Sequence, residues 1–116
     1  MKKYKEIFRL KEMLEKENIP FIFRNVFDGF QICYPDIKNR VCSVIEHEGS
    51  YGHNQDLLEI MGLLTDGETD DDDVLGYLNA ENVFERIRKH YKEQEKWKNN
   101  GIISLFFMEV KIEINM

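Results

Sequence analysis

The sequence predicts an α+β fold: an N-terminal helix, an antiparallel β-meander of three to four strands, a second long helix and a C-terminal strand. Three observations predict it. Apolar residues recur at helical spacing near the start of the chain and again after Asn79. Between those stretches lie short aromatic and β-branched runs separated by turn residues. An Asp28-Gly29 pair stands between two such runs, a strong short-range hairpin signal.

Tyr4, Ile7, Phe8, Leu10, Met13 and Leu14 form one stripe, so residues 2–17 read as an amphipathic helix. Asn18 can take the left-handed conformation that ends it, and Pro20 cannot continue it. Residues 21–26 read as the first strand and residues 30–34 as the second, with Phe30, Ile32 and Tyr34 on one face. Pro35-Asp36 opens a turn, and residues 41–47 form the third strand. Residues 49–56 are a polar loop with two glycines. Residues 57–64 are short and apolar; a fourth strand is expected there, with a helical turn as the alternative. Residues 65–73 read as an acidic, solvated loop. Asn79 suits a helix cap, and Val83, Phe84, Ile87 and Tyr91 make the next apolar stripe. Asn99-Asn100-Gly101 read as its stop. Met108, Val110, Ile112 and Ile114 then alternate with charged residues as in a half-buried strand.

The chain has 116 residues, which suits one core: a domain over residues 1–100, with residues 101–116 as a C-terminal strand or extension. No apolar run reaches the roughly 20 residues of a membrane span, and the basic start leads into no signal core. A cytoplasmic protein is therefore expected. Cys33 and Cys42 fall in neighbouring predicted strands and read as reduced thiols. The net charge is −6, and no Lys or Arg occurs between Val41 and Glu85. Glu68, Asp70, Asp71, Asp72 and Asp73 concentrate the negative charge. Such a surface argues against direct nucleic-acid binding and suits a basic protein partner; solubility alone would also favour it.

No pattern for nucleophilic catalysis, dinucleotide binding or a phosphate loop is present, so no catalytic residue and no cofactor are assigned. Glu46, His47, Glu48, His53, Asp56 and Glu59 cluster in sequence and could ligate a metal. Strand alternation sends His47 to the face opposite Glu46 and Glu48, so no metal site is assigned. A hydrolase using His47, His53 and neighbouring carboxylates is the alternative. A small-ligand site is better supported by residue type: Arg24, Tyr34, Arg40, His47, Tyr51 and His53 offer guanidinium, aromatic and imidazole groups. Gly49 and Gly52 would let backbone amides approach an anion.

Several strings complete the reading: Gly29-Phe30-Gln31-Ile32-Cys33-Tyr34-Pro35, Arg40-Val41-Cys42-Ser43-Val44-Ile45-Glu46-His47, Ser50-Tyr51-Gly52, Leu57-Leu58-Glu59-Ile60-Met61-Gly62-Leu63-Leu64-Thr65, Gly76-Tyr77-Leu78 and Val83-Phe84-Glu85-Arg86-Ile87. Together they resemble a group of small proteins of Firmicutes phages and prophages, over roughly Tyr4 to Tyr91. The tail after Glu95 departs from that pattern. The resemblance implies a mobile-element protein in a host bacterial cytoplasm. By analogy with small phage accessory proteins, it implies a non-enzymatic antagonist of host defence that sequesters a defence protein or a nucleotide-type immune signal. A homodimer through the segment from Ile102 to Met116 is a further expectation.

Overall fold

The computed structural model describes residues 3–68 and 73–108. In order they form α1 (Lys5–Lys16), β1 (Ile22–Val26), β2 (Gly29–Tyr34), β3 (Cys42–Glu46), a 3-10 turn (His53–Gln55), β4 (Leu58–Met61), a second 3-10 turn (Asp66–Glu68), β5 (Val74–Leu78) and α2 (Ala80–Met108). The strands make one antiparallel sheet in the order β1-β2-β3-β4-β5. Each strand lies beside its neighbour in sequence, so every connection is a hairpin or a short loop.

Both helices pack on one face of this sheet. Ile7, Leu10 and Leu14 of α1 and Ala80, Val83, Phe84 and Ile87 of α2 meet Ile32, Tyr34, Cys42, Val44, Leu58 and Ile60. The register explains the layering. Ile32 pairs with Val44 and Val44 with Ile60, which puts a row of branched side chains under the helices. The alternate residues face away from them. There Arg24 donates to Gln31 Oε1 at 2.7 Å, and Gln31 donates to Ser43 Oγ at 2.8 Å.

Local chemistry explains the helix ends. Asn18 stops α1 with φ 58°, as its residue type predicts. Asn79 caps α2 by accepting the Asn82 N–H at 2.9 Å. The carboxylate of Glu6 on α1 accepts the Ala80 N–H at 2.7 Å and the Arg9 guanidinium at 3.0 Å. The first turn of α1 therefore caps the first turn of α2. Arg9 also pairs with Glu81.

Three sequence expectations need correction. The sheet has five strands: residues 57–64 do contain a strand, β4, and β5 follows the acidic loop where none was expected. The hairpin turn is Phe27-Asp28, one residue earlier than Asp28-Gly29. Val26 pairs directly with Gly29, and Phe27 carries the positive φ of 54°. Gly29 is needed for another reason, because a Cβ there would collide with the Glu46 carbonyl oxygen on β3. Cys33 and Cys42 are free, as the sequence reading expects, and belong to opposite faces, Cys33 pairing with Ser43 and Cys42 with Tyr34. Finally, Asn99-Asn100-Gly101 do not end α2, which continues to Met108, so residues 102–108 are helical rather than a strand. Gly inside a helix costs only about 1 kcal/mol relative to Ala, which a long helix can absorb. The rest of the expected C-terminal strand, residues 109–116, lies outside the described residues. No helix among the described residues is long and apolar enough to cross a membrane.

Candidate functional site

The β1–β2 turn, the β3–β4 loop, the last residues of β5 and the N-termini of both helices gather at one end of the sheet. The β3–β4 loop folds on itself there. Ser50 Oγ accepts the His47 N–H at 3.1 Å and donates to the His47 carbonyl at 2.9 Å. His47 Nδ1 accepts the Gly49 N–H at 3.0 Å, so that amide is not available to an anion. Gly52 adopts φ 98° with the Tyr77 backbone nitrogen 3.0 Å from where a Cβ would sit, which fixes glycine at this position. The loop is thereby held against β5, and the Tyr77 N–H points to the Tyr51 carbonyl at 3.5 Å.

Beneath this loop lies a buried acid. Glu46 ends β3 on the helix-facing side, opposite Phe30, with 1% of its side chain exposed. Neither of its carboxyl oxygens has a hydrogen-bond partner. His53 Nδ1 lies 3.9 Å from Glu46 Oε2, on a side chain 8% exposed, and is also unpartnered. Burial, followed by the nearby Asp56 carboxyl, pushes Glu46 up to about 8, so it is a neutral acid at pH 7. Asp56 accepts the Lys5 N–H with both oxygens at 3.1 Å and so caps α1 from the loop. The Tyr4 ring completes the lid, 6.1 Å from the His53 ring and 5.2 Å from Phe30, with its hydroxyl donating to the Asp28 carbonyl at 2.6 Å.

The opposite end carries a second polar cluster. Tyr34, buried at the end of β2, has its hydroxyl 2.8 Å from His90 Nδ1. Burial pushes that phenol up to about 12, so it stays a neutral hydroxyl, and the His90 tautomer sets which partner donates. Arg86 forks onto Glu68 with two bonds of 2.7 Å, reaches the Leu63 carbonyl at 3.0 Å and binds Asn82 at 2.7 Å. Glu68, whose carboxyl this guanidinium holds down at about 2, also accepts the Thr65 N–H at 3.0 Å. The acidic β4–β5 loop is thus clasped to α2. A groove of about 520 Å³ runs beside the clasp, between Leu63-Leu64 and the Lys89, His90 and Glu93 positions of α2.

The six residues expected to hold a small ligand do not converge. Arg24 is on β1, engaged with Gln31 on the face away from the helices. Tyr34 is in the core, and Arg40 is exposed in the β2–β3 connection at the same end of the sheet. His47, Tyr51 and His53 belong to the other end, one strand length of about 17 Å away. Even there His47 and His53 part company, one against the exposed Phe27 ring at 5.1 Å and the other buried with Glu46. Among the described residues no three His, Cys, Asp or Glu side chains are placed to hold a metal ion. Of the expected acidic surface, Glu68 is the clasped residue, Asp73 is exposed, and Asp70, Asp71 and Asp72 lie outside the described residues.

The sequence reading missed Phe27 and Tyr77 as surface features and Arg86 and His90 as anchoring groups. Phe27 was hidden by assigning the turn to Asp28-Gly29. Arg86 and His90 each precede a residue of the apolar stripe of α2, Ile87 and Tyr91, and share one flank of it, a position that could have marked them. No protein-family model matches the chain, and no curated protein or solved structure is significantly similar to it.

Proposed function

We propose that the chain is a non-enzymatic accessory protein of a phage or prophage that antagonises host defence by binding and sequestering a host factor, and that this factor is a protein. The observation that carries the choice of a protein is the distribution of charge over the fold. The segment without Lys or Arg, Val41 to Glu85, supplies β3, β4, β5 and their loops, so these elements carry no base of their own; Arg86 of α2 reaches in to pair with Glu68. A basic surface on a host protein is the complement. The nucleotide-signal version loses support because Arg24, Arg40, Tyr34, Tyr51, His47 and His53 are dispersed. The hydrolase alternative loses it because His47 and His53 face different surroundings.

Affinity purification of the tagged chain from host cells tests this reading, with small molecules released by denaturation analysed in parallel. A stoichiometric protein partner whose retention falls steeply with salt is expected. A nucleotide recovered in stoichiometric amount, with no protein, would refute the choice. Self-association through the C-terminal segment belongs to the same proposal. A chain ending at Asn100, without the segment from Ile102 to Met116, should then lose mass in solution.

A further inference from the structure

Two exposed aromatic residues sit where the backbone penalises them. Phe27 has φ 54° with 91% of the residue exposed, and Tyr77 has φ 61° with 59% exposed. The left-handed region costs a residue with a side chain about 1 kcal/mol or more. Neither ring belongs to the core, so burial does not offset that cost. The turn at Phe27-Asp28 would be easier with glycine at its first position. Folding alone gives no reason for a phenyl ring at the tip of this hairpin.

The two residues share the end of the sheet built by the β1–β2 turn and the β3–β4 loop. His47 lies beside Phe27 with its ring edge-on at 5.1 Å. Half-exposed Tyr51 adjoins Tyr77. With strands about 4.8 Å apart, the row from Phe27 to Tyr77 crosses the sheet over roughly 15–20 Å, the width of an interface core. Three carboxylates flank it. Asp28 accepts the Glu48 N–H at 3.1 Å, which lowers its pKa and keeps it ionised. Glu48 is exposed, and Glu59 accepts the Tyr51 N–H at 2.9 Å. The turn and loop that form the row contain no Lys or Arg.

We propose that this aromatic and acidic end of the sheet is the surface that grips the partner, and that the partner presents a Lys- or Arg-rich patch around an apolar pocket. Phe27 fills the pocket, the rings stack on guanidinium groups, and Asp28, Glu48 and Glu59 pair with the flanking bases. An anionic membrane or a nucleic acid would meet repulsion from the same carboxylates. The inference rests on the protein-sequestering reading above and gives it an address.

Site-specific photocrosslinking in host lysate tests it. The photoreactive amino acid p-benzoylphenylalanine replaces Phe27 or Tyr77 in the full chain; control positions are Ile37, in the β2–β3 connection at the other end of the sheet, and Trp97 on α2, both exposed. The expected result is one host polypeptide joined from both Phe27 and Tyr77, through peptides rich in Lys and Arg, and suppressed at about 0.5 M salt. Adducts from Ile37 or Trp97 alone would overturn the address and leave sequestration standing. No protein adduct from any of the four positions would overturn both. Adducts to a second copy of the chain, to lipid or to nucleic acid would overturn the partner chemistry. The Phe27→Gly variant supplies a second readout on the identified partner. Relief of strain should lower its unfolding equilibrium constant about threefold, while loss of the anchor weakens capture at least tenfold. A variant that captures the partner as well as wild type, or that weakens capture only because it unfolds more readily, would overturn the role of Phe27.

Discussion

Raising the pH from 5 to 8.5 should strip stability from the wild-type chain and leave Glu46→Gln nearly flat. Glu46 is held at about 8 in the folded protein, against an ordinary value of 4.5. Between those values the folded state binds a proton that the unfolded state has released. The stability from this group is therefore complete below about pH 4.5, declines as pH rises, and is gone above about pH 8. One proton corresponds to about 1.4 kcal/mol per pH unit, so the window sets a ceiling near 5 kcal/mol. Relaxation around a newly charged carboxylate and entry of water will reduce this, and about 2–3 kcal/mol is expected. That is a large share of the 5–15 kcal/mol typical of a domain.

The groups facing Glu46 are His53 and Asp56 from the β3–β4 loop and Lys3, Tyr4 and Glu6 from the start of α1 and the residues before it. Of these, Asp56 and Glu6 oppose its ionisation and Lys3 favours it. Other shifted groups act outside the window. Glu68 and Asp28, both lowered, lose their contributions only as the medium becomes more acidic than their ordinary carboxylate values. Cys42 and Tyr34, each pushed up to about 12, begin to act above about pH 9. Urea unfolding midpoints at pH 5, 7 and 8.5 provide the assay. Glu46→Gln should match wild type at pH 5 and exceed it at pH 8.5. Parallel pH profiles for the two proteins would refute the reasoning, because the acid would then have no part in the dependence.

Three further outcomes follow from single contacts. Arg86→Ala removes the fork onto Glu68 and the bonds to Leu63 and Asn82, and should cost about 2–3 kcal/mol in urea unfolding; Arg86→Lys keeps the charge without the fork and should recover about half of that. An Arg86→Lys variant as stable as wild type would show that the fork geometry contributes nothing. Glu6→Ala uncaps the Ala80 N–H and releases Arg9, for an expected loss of about 1–2 kcal/mol, with amide exchange accelerated first at the start of α2. Gly29→Ala drives a methyl group into the Glu46 carbonyl and should cost at least about 3 kcal/mol or prevent folding; a soluble variant as stable as wild type would contradict the close approach of β2 and β3.

The sequence made α1, the first four strands and the start of α2 legible because each rests on a local signal. The stripe from Ile7 to Leu14, the stop at Asn18 and the cap at Asn79 need no knowledge of the rest of the fold. β5 was not legible. Val74-Leu75-Gly76-Tyr77-Leu78 is interrupted by a glycine, a poor strand signal, and its register against β4 shifts between Leu58 and Ile60. What makes it a strand is the free edge of β4, a tertiary cause. The continuation of α2 past Gly101 is similar: a local breaker was outweighed by the residues on either side of it.

The site was legible in composition and not in geometry. The sequence grouped Glu46, His47, His53 and Asp56 as neighbours, and the fold keeps them at one end of the sheet but assigns them unlike tasks. His47 belongs to the surface with Phe27, whereas Glu46 and His53 form an unpartnered buried pair beneath it and Asp56 caps α1. A polar pair without hydrogen bonds and two strained, exposed aromatics at the same end of a small domain are both departures from what stability alone would select. The Arg86 clasp at the other end has positive-φ residues as well, Leu63 at 58° and Asp73 at 60°, but neither is an exposed aromatic. The exposed strained aromatics and the unpartnered buried acid meet around the β1–β2 turn and the β3–β4 loop, and that is where recognition is expected to act. If the cost were a by-product of packing, Phe27→Gly and Glu46→Gln would each stabilise the chain without loss of function. Stabilisation by both variants together with reduced capture of the partner is the combination that ties the strain to binding.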